Sequence, residues 1–276
     1  MIEVNKFISE AENLAPTLLN IHHGFNFRDL GGYTNQDGQR IKSHRLIRSG
    51  KLDLLSDRDV QFLTDYGVKY DVDFRSPDEQ KEAPDRVPVG ASYHFLPVFP
   101  VDETKVTKTW EEEQREFAKD ARGGYKNMIR TYAEMVLLPD AQKSYRQFFD
   151  LLLSNDGDKS SLLFHCSAGK DRTGMGAVYL LSALDVDPQI IRSDYITTNE
   201  FIQYPLHQQL DAIRANGGNQ NTQQSIRDLW TVKEDYLDSA LSTISAHYGS
   251  MHRYLEQALQ LSANQVADLK QLYLAE

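Results

Sequence analysis

The sequence predicts an α/β protein in which a central, mainly parallel sheet is flanked by helices and the C-terminal third is helical. Segments with strand character alternate with segments of helical periodicity up to about residue 184, a pattern typical of parallel sheets. Residues 160–165 form a short apolar run between polar neighbours, which predicts a buried central strand. Residues 188–275 are predicted to be helical, with breaks at Gly217-Gly218 and Gly249.

The N-terminal part of the chain supplies the first predicted elements. Residues 25–33 indicate a short strand that ends in a Gly-Gly turn, and residues 45–49 indicate another. A helix is expected over residues 57–66, because Ser56 can cap its start and Gly67 can end it. These elements would precede the central strand in the chain.

The middle of the chain contributes two further strands. Residues 68–74 are rich in β-branched and aromatic residues, and Pro77 enforces a turn soon after them. Residues 92–98 have strand character as well. Helical periodicity then occupies residues 125–137 and 140–154, on either side of Pro139.

Residues 99–124 differ from the segments around them. They combine many charged side chains with few apolar anchors, and they close on Arg122-Gly123-Gly124. This composition favours a lid-like insertion over a core element. We therefore expect one domain, residues 1–276, that carries a lid at 99–124.

Composition narrows the function. The chain has 276 residues and a net charge of −10, with a sequence pI near 5.3. A chain with this excess of acidic residues is not expected to bind nucleic acids non-specifically, because such binding needs positive charge. It lacks an apolar stretch of membrane-spanning length and a secretory signal, so we expect no integral membrane contact and a cytoplasmic location, or export without such a signal. Its one cysteine, Cys166, excludes intrachain disulfides and multi-cysteine metal sites.

The residues around Cys166 indicate a reactive thiol. The segment reads His165-Cys166-Ser167-Ala168-Gly169-Lys170-Asp171-Arg172-Thr173-Gly174 and joins the predicted central strand to an apolar helix over residues 174–184. A strand–loop–helix of this kind directs loop amides and a helix N-terminus at one point, which binds anions. Small residues at 167–169 let a ligand approach the backbone, and the same field should lower the pKa of the thiol. The loop therefore predicts a nucleophile beneath a phosphate cradle made by residues 167–172.

Four side chains in this loop have the chemistry for phosphoryl transfer. Arg172, six residues after Cys166, can hold two phosphate oxygens with its planar fork. Lys170 adds a second positive charge, and the Thr173 hydroxyl can donate to the sulfur. Asp171 lies close enough to a bound phosphate to carry a proton for the reaction.

The Cys-x5-Arg loop resembles the signature of cysteine-dependent phosphatases. More closely, the chain resembles the atypical bacterial tyrosine phosphatases, whose members are also reported to act on serine/threonine phosphates and phosphoinositides. The resemblance runs from about residue 25 to the C-terminus. It is carried by Asn26-Phe27-Arg28-Asp29-Leu30-Gly31-Gly32, Arg48-Ser49-Gly50, Asp73-Phe74-Arg75-Ser76 with Glu79, and His165 to Thr173.

This resemblance implies a phosphotyrosine-phosphatase-like fold and a two-step reaction. Cys166 would form a cysteinyl-phosphate that water then hydrolyses, with Arg172 and the loop amides holding the phosphoryl group. No metal or cofactor is implied. The general acid stays open between Asp171, inside the loop, and Asp73, at a strand end, because neither Trp110 nor Trp230 is followed by the Pro-Asp of the usual acid loop.

Other polar residues near the motif have two possible roles each. His165 is expected to orient Cys166 through a hydrogen bond, and only secondarily to act as a base. Arg28 and Arg48 are interpreted as members of structural ion pairs. Alternatively, they could support the phosphate site. Arg75 could position Asp73 or pair with Glu79.

Several functions fit this chemistry. The first is hydrolysis of phosphotyrosine, with phosphoserine and phosphothreonine as further substrates. Because Lys170 adds charge to the loop, a phosphoinositide or inositol-phosphate phosphatase is the alternative. A phosphate-binding module without turnover and a persulfide sulfurtransferase are weaker hypotheses. The sequence predicts a phosphorylated protein or a phosphoinositide as partner and leaves the oligomeric state open.

Overall fold

The computed structural model describes residues 17–100 and 115–275, and it contains a six-stranded sheet at its centre. The strands in chain order are β1 (Thr17–Leu18), β2 (Arg28–Asp29), β3 (Arg40–Ile41), β4 (Leu46–Ser49), β5 (Val68–Asp73), β6 (Ser92–Phe95), β7 (Ser161–His165) and β8 (Leu274–Ala275). The sheet order is β1-β2-β4-β7-β5-β6, while β3 and β8 form a separate pair. β4, β7, β5 and β6 are parallel, and β1 and β2 extend the sheet in antiparallel fashion.

Eleven helices in the described residues have bounds that can be given in chain order. They are α1 (Asp57–Tyr66), α2 (Pro77–Glu82), α3 (Gly123–Leu137), α4 (Pro139–Ser154), α5 (Arg172–Ala183), α6 (Pro188–Phe201), α7 (Gln203–Ala215), α8 (Gln220–Trp230), α9 (Glu234–Tyr248), α10 (Met251–Gln257) and α11 (Ala263–Tyr273). The predicted α/β architecture with a helical C-terminal third is therefore confirmed.

Local signals explain where the early helices begin and end. Ser56 caps α1 in a capping box with Asp59, and Gly67 ends the helix at φ +95°. Ser76 and Glu79 form the same box at the start of α2, where Pro77 occupies the first turn. Pro139, expected to separate two helices, also lies in the first turn of the second one.

The register of the parallel strands brings three strand ends to one edge of the sheet. Ser49 at the end of β4 and Asp73 at the end of β5 both lie opposite His165, the last residue of β7. β7 is buried at all five positions, as predicted. Because parallel strands present their carboxyl ends together, the loops that follow them meet at this edge.

α5 packs as the predicted buried helix. Its core-facing residues and those of β7 share one large cluster with the C-terminal helices. Phe74, at the end of β5, makes edge-on aromatic contacts with Tyr145, Phe148 and Phe164. The Tyr145 hydroxyl in turn donates to the Arg172 carbonyl at 2.9 Å, which connects the start of α5 to α4.

The predicted lid at 99–124 falls only partly within the described structure. Residues 101–114 lie outside the described residues, and the lid stays a prediction. At the two ends of the segment, Phe99 is buried in the core and Gly123-Gly124 begin α3. A Cβ on Gly124 would lie 2.2 Å from the Ser225 carbonyl oxygen, so these residues are anchored against α8.

Other predictions were too long or incomplete. The strands expected over 25–33 and 92–98 are shorter, at Arg28–Asp29 and Ser92–Phe95, although the Leu96 and Val98 amides still donate to carbonyls at the end of β5 and just after it. The C-terminal strand β8, which pairs with β3, was not predicted. Among the described residues, the helices are too short or too polar to cross a membrane.

The fold also contains a cavity of about 700 Å³ between α5, α6, α9, α10 and α11. Its lining includes Val178, Ile191, Leu237 and Val266 and none of residues 165–173. This cavity is therefore separate from the Cys166 loop, where the sequence predicts the reaction.

Candidate active site

The loop from β7 to α5 places Cys166 at the edge where the parallel strands end. The Cys166 side chain is almost fully buried, at 2% exposure. Gly169 adopts φ +64°, and a Cβ there would lie 2.2 Å from the Ser49 carbonyl oxygen. Only glycine meets both conditions, so it allows the loop to lie against the end of β4.

The backbone of the loop is arranged as an anion cradle. In the described part of the chain, the amides of residues 167–171 donate to no backbone acceptor. They lie directly before the N-terminus of α5, whose first intrahelical bond runs from the Met175 amide to the Asp171 carbonyl. Unpaired amides at a helix N-terminus favour a negatively charged ligand.

The surroundings of Cys166 stabilise its thiolate. Burial alone would raise the pKa of the thiol, but the positive charge of Arg172 and hydrogen bonds from the Thr173 hydroxyl and amide outweigh it. The pKa of Cys166 is therefore lowered.

Arg172 is held in place by Glu79, a contact that the sequence did not predict. Its Nη1 and Nη2 donate to Glu79 Oε2 and Oε1 at 2.5 and 2.9 Å. Glu79 also accepts a bond from the Ser167 hydroxyl and one from the Ser76 amide. Although burial opposes ionisation, the adjacent guanidinium holds the pKa of Glu79 well below its usual range. α2 thus fixes the fork of Arg172 beside the loop.

Lys170 and Asp171 form a pair inside the loop. The Lys170 Nζ lies 2.7 Å from both Asp171 carboxylate oxygens. The Tyr132 hydroxyl from α3 donates to Asp171 Oδ1 at 2.8 Å. The Asp171 side chain is 13% exposed, whereas that of Lys170 is 3% exposed. Asp171 therefore combines a fixed orientation with access to the site.

A buried group that we call the arginine cluster supports the loop from one side. It consists of Asn26, Arg28, Arg48 and Asp194. Arg28 Nε donates to Asp194 at 2.9 Å, and Arg48 Nη1 pairs with the other Asp194 oxygen. Arg48 Nη2 also donates to the Gly169 carbonyl at 2.9 Å, and the Asn26 amide donates to the Ala168 and Gly169 carbonyls at 3.0 and 2.7 Å.

The arginine cluster therefore combines the two roles considered for Arg48. Arg48 forms a structural ion pair and also holds a carbonyl of the cradle. By engaging the carbonyls of residues 168 and 169, Arg48 and Asn26 constrain the orientation of the peptide groups in the cradle.

A second buried group, the histidine cluster, lies beside the residue before Cys166. It consists of Asp71, Asp73, Arg75, Asp85 and His165. The Nε2 of His165 is 3.3 Å from Asp71, 3.2 Å from Asp85 and 3.9 Å from Asp73. Burial would lower the pKa of His165, but Asp73 and Asp85 raise it well above the usual value. The His165 Nδ1 lies 3.2 Å from the Cys166 carbonyl, the contact expected of an orienting residue.

The charges of the histidine cluster are balanced internally. Arg75 makes a bidentate pair with Asp73 and also contacts Asp85 at 2.7 Å. Burial raises the pKa of Asp71, so ionisation of this carboxyl is opposed in the folded protein. Asp71, Asp85 and His165 offer possible metal ligands within 4.8 Å of one another, but Arg75 already supplies positive charge at Asp85.

The structure separates the two candidate acids. Asp73 is fully buried, and its oxygens accept bonds from Arg75 and from the Tyr93 hydroxyl at 2.8 Å. Although burial opposes it, the positive charges of His165 and Arg75 lower the pKa of Asp73. Asp171 instead lies in the loop itself. The expected Arg75–Glu79 alternative is wrong, because Arg75 pairs with Asp73 and Asp85 while Glu79 pairs with Arg172.

Five residues that contact the site from distant parts of the chain were missed or left unassigned. Their partners lie far away in sequence, so spacing gave no signal for them. They are Asn26, Glu79, Asp85, Tyr132 and Asp194.

Comparisons with known proteins agree with this geometry. A family model described as "Tyrosine phosphatase family" matches residues 19–275. A Cupriavidus necator protein named "Putative tyrosine-protein phosphatase" is 31% identical over 250 residues, which cover 91% of this chain and 86% of that protein. The "Triple specificity protein phosphatase PtpB" of Mycobacterium tuberculosis is 28% identical over 262 residues, 85% of this chain and 91% of its own length. A Nostoc commune tyrosine-protein phosphatase is 26% identical over 164 residues, 59% and 51% of the two chains.

Proposed function

The chain belongs to the tyrosine phosphatase family, and from that premise we propose that it hydrolyses phosphotyrosine in proteins, and phosphoserine and phosphothreonine as well, through a cysteinyl-phosphate. The observation that carries the proposal is the position of Cys166, whose pKa is lowered, beside Arg172 and in a loop whose amides have no backbone acceptor among the described residues. A dianionic phosphate monoester suits this combination, because each part either attacks phosphorus or stabilises its oxygens.

In the first step, the Cys166 sulfur attacks phosphorus and forms an S–P bond. The bond between phosphorus and the leaving oxygen breaks, and its electron pair stays on that oxygen. We assign Asp171 as the acid that protonates this oxygen, because it is the partly exposed carboxyl in the loop. Arg172, oriented by Glu79, and the amides of 167–172 hold the three remaining phosphate oxygens.

In the second step, water attacks phosphorus and the S–P bond breaks. Asp171, now ionised, accepts the proton of this water, and Cys166 leaves as a thiolate. Thr173 stabilises that thiolate through the same hydrogen bonds that lower the pKa of Cys166 in the resting protein. Inorganic phosphate is then released.

Activity on an aryl phosphate in the presence of EDTA tests the proposal. We expect wild type to turn over p-nitrophenyl phosphate and phosphotyrosine peptides, and Cys166→Ser to lose all turnover while it stays folded. A Cys166→Ser protein with normal turnover would exclude the thiol as the nucleophile.

The choice between Asp171 and Asp73 can be made with leaving groups. A general acid contributes on the order of 10²–10⁴-fold, and most for poor leaving groups. Asp171→Asn should therefore lose far more activity on phenyl phosphate than on p-nitrophenyl phosphate. Asp73→Asn should weaken folding, because Arg75 loses one of its two charged partners, and should affect both substrates alike.

A phosphoinositide is the second candidate substrate, and Lys170 is the residue that favours it. A ring with several phosphates needs positive charge beyond that of Arg172. Lys170 is already paired with Asp171, however, so we rank phosphotyrosine first. Lys170→Ala should lose more activity on phosphoinositides than on phosphotyrosine peptides if the lipid is the substrate, and equal losses would argue against it.

A further inference from the structure

Asp171 occupies the N-cap of α5 but does not cap the helix. Aspartate is favoured at this position because its carboxylate accepts bonds from the next amides. Here the side chain makes no such bond and contacts Tyr132 and Lys170 instead. The carboxyl group is thus directed away from the helix that it begins.

Tyr132 and Tyr195 form a hydrogen-bonded chain that ends on this carboxyl group. The Tyr195 and Tyr132 hydroxyls are 2.8 Å apart, and the Tyr132 hydroxyl is 2.8 Å from Asp171 Oδ1. A carboxylate only accepts, and each hydroxyl has one hydrogen. Tyr132 must therefore donate to Asp171, and Tyr195 must donate to Tyr132.

The two tyrosines are rigid donors. Both are fully buried, and their rings pack edge to face with centroids 6.1 Å apart. Burial raises the pKa of each well above 10, so both hydroxyls keep their hydrogens throughout the working range. With Tyr195 donating to it, the Tyr132 hydroxyl has Asp171 Oδ1 as its acceptor among the described residues, so Tyr132 can keep donating to Oδ1 when the proton of Asp171 lies on Oδ2.

Lys170 Nζ contacts both Asp171 oxygens at 2.7 Å, so the Tyr132 bond is what distinguishes Oδ1 from Oδ2. We propose that Tyr132 is a positioning residue that gives Oδ1 this second donor and so directs the transferable proton to Oδ2. The inference rests on the proposed role of Asp171 as general acid. When the S–P bond forms, the Oδ2–H bond breaks and its proton goes to the leaving oxygen, whose bond to phosphorus breaks. Oδ1 keeps the Tyr132 bond before and after this transfer. Without that bond the proton would be shared between two oxygens.

Sensitivity to the leaving group tests the proposal. We would measure kcat and KM of wild type, Asp171→Asn and Tyr132→Phe on aryl phosphates whose phenols span several pKa units. Tyr132→Phe should lose about tenfold in kcat on the poorest leaving groups, the factor that one hydrogen bond to a charged group is worth. Its loss on the best leaving groups should be small, and KM should change little.

Two further tyrosines provide matched variants. Tyr236→Phe removes a hydroxyl from the same aromatic cluster, where it donates to the Asp228 carbonyl, so wild-type kinetics are expected. Tyr195→Phe leaves the Tyr132 donor in place and removes only the bond behind it. Its loss should be below about threefold, with the same dependence on the leaving group.

The outcomes separate the inference from the function that it rests on. An equal loss of Tyr132→Phe on all substrates, or no loss, would overturn the positioning role while wild type and Asp171→Asn still behave as proposed. A leaving-group dependence of Asp171→Asn no steeper than that of wild type would remove the acid assignment, and the inference with it. An inactive wild type would contradict the proposed function itself.

Discussion

The arginine cluster and the histidine cluster lie beside the same loop but differ in how their buried charges are balanced. In the first, two guanidinium groups share one carboxylate, Asp194, which leaves an excess of positive charge. In the second, Arg75 and His165 balance Asp73 and Asp85, while burial raises the pKa of Asp71 and so opposes its ionisation. The excess positive charge therefore lies in the arginine cluster, which holds the carbonyls of the phosphate cradle.

The difference shows that burial of charge has different consequences for the two clusters. Asp194 is indispensable in the first, because its removal leaves two buried cations without an anion. We expect Asp71 to be dispensable in the second, because burial opposes its ionisation and Arg75 pairs with Asp73 and Asp85 instead. Isosteric replacement of one carboxylate at a time by an amide should separate the two cases.

The largest expected effect is that of Asp194→Asn. Although burial opposes ionisation, Arg28 and Arg48 lower the pKa of Asp194, so its stabilising charge is present above the unfolded pKa and lost as the pH falls. Breaking a buried pair in this way costs about 3–5 kcal/mol of unfolding free energy at pH 7. Urea unfolding at pH 7 and pH 4 measures it, and a loss below about 1 kcal/mol would contradict the role given to Asp194.

The next effect is the pH dependence created by His165. Because its pKa is raised, its contribution is fully present below the unfolded value near 6.5 and is lost as the pH rises toward the folded value. The unfolding free energy should fall by up to about 1.4 kcal/mol per pH unit above 6.5. Cys166, whose pKa is lowered, acts in the opposite direction up to about pH 8.5, so the measurement needs the Cys166→Ser background.

A matched variant isolates the histidine. In the Cys166→Ser background, His165→Asn should flatten the dependence between pH 7 and pH 9. If both proteins show the same slope, the charge on His165 does not stabilise the fold.

The contacts of these two clusters show which parts of the site could be predicted from the sequence and which could not. Cys166, Arg172 and the strand and helix around them were predictable, because nucleophile, cradle and cation are contiguous. Glu79 lies 93 positions before Arg172, and Asp194 lies 166 positions after Arg28, so no local spacing reveals either pair. The alternatives for Arg75 stayed open for another reason: Asp73, Glu79 and Asp85 all lie within ten positions of it, and only the tertiary structure shows that Asp73 and Asp85 are its partners.

A smaller effect is expected at Asn26, which connects the arginine cluster to the loop. Asn26→Gly removes the donors to the Ala168 and Gly169 carbonyls and should cost about 1–2 kcal/mol. Asn26→Ala should cost about 1 kcal/mol more, because residue 26 adopts φ +63°, where alanine is strained and glycine is not. Denaturant unfolding measures both variants, and equal stabilities would show that the backbone conformation relaxes.

The smallest effect, and the one of opposite sign, is that of Asp71→Asn. Apart from His165 Nε2 at 3.3 Å from Oδ1, the Asp71 oxygens have no donor nearby in the described structure, and burial raises the pKa of this carboxyl, so its ionisation is opposed in the folded protein. The stability that this proton contributes is lost as the pH rises through the folded pKa, whereas an amide stays neutral at every pH. The unfolding free energy of Asp71→Asn should therefore equal that of wild type or exceed it by up to about 1 kcal/mol at pH 7, with a gain that grows with pH.

Parallel urea titrations of Asp71→Asn and Asp194→Asn provide the decisive comparison. A destabilisation of Asp71→Asn above about 2 kcal/mol would show that the histidine cluster needs this carboxylate as a charge, and that the two clusters do not differ in the way their contacts indicate.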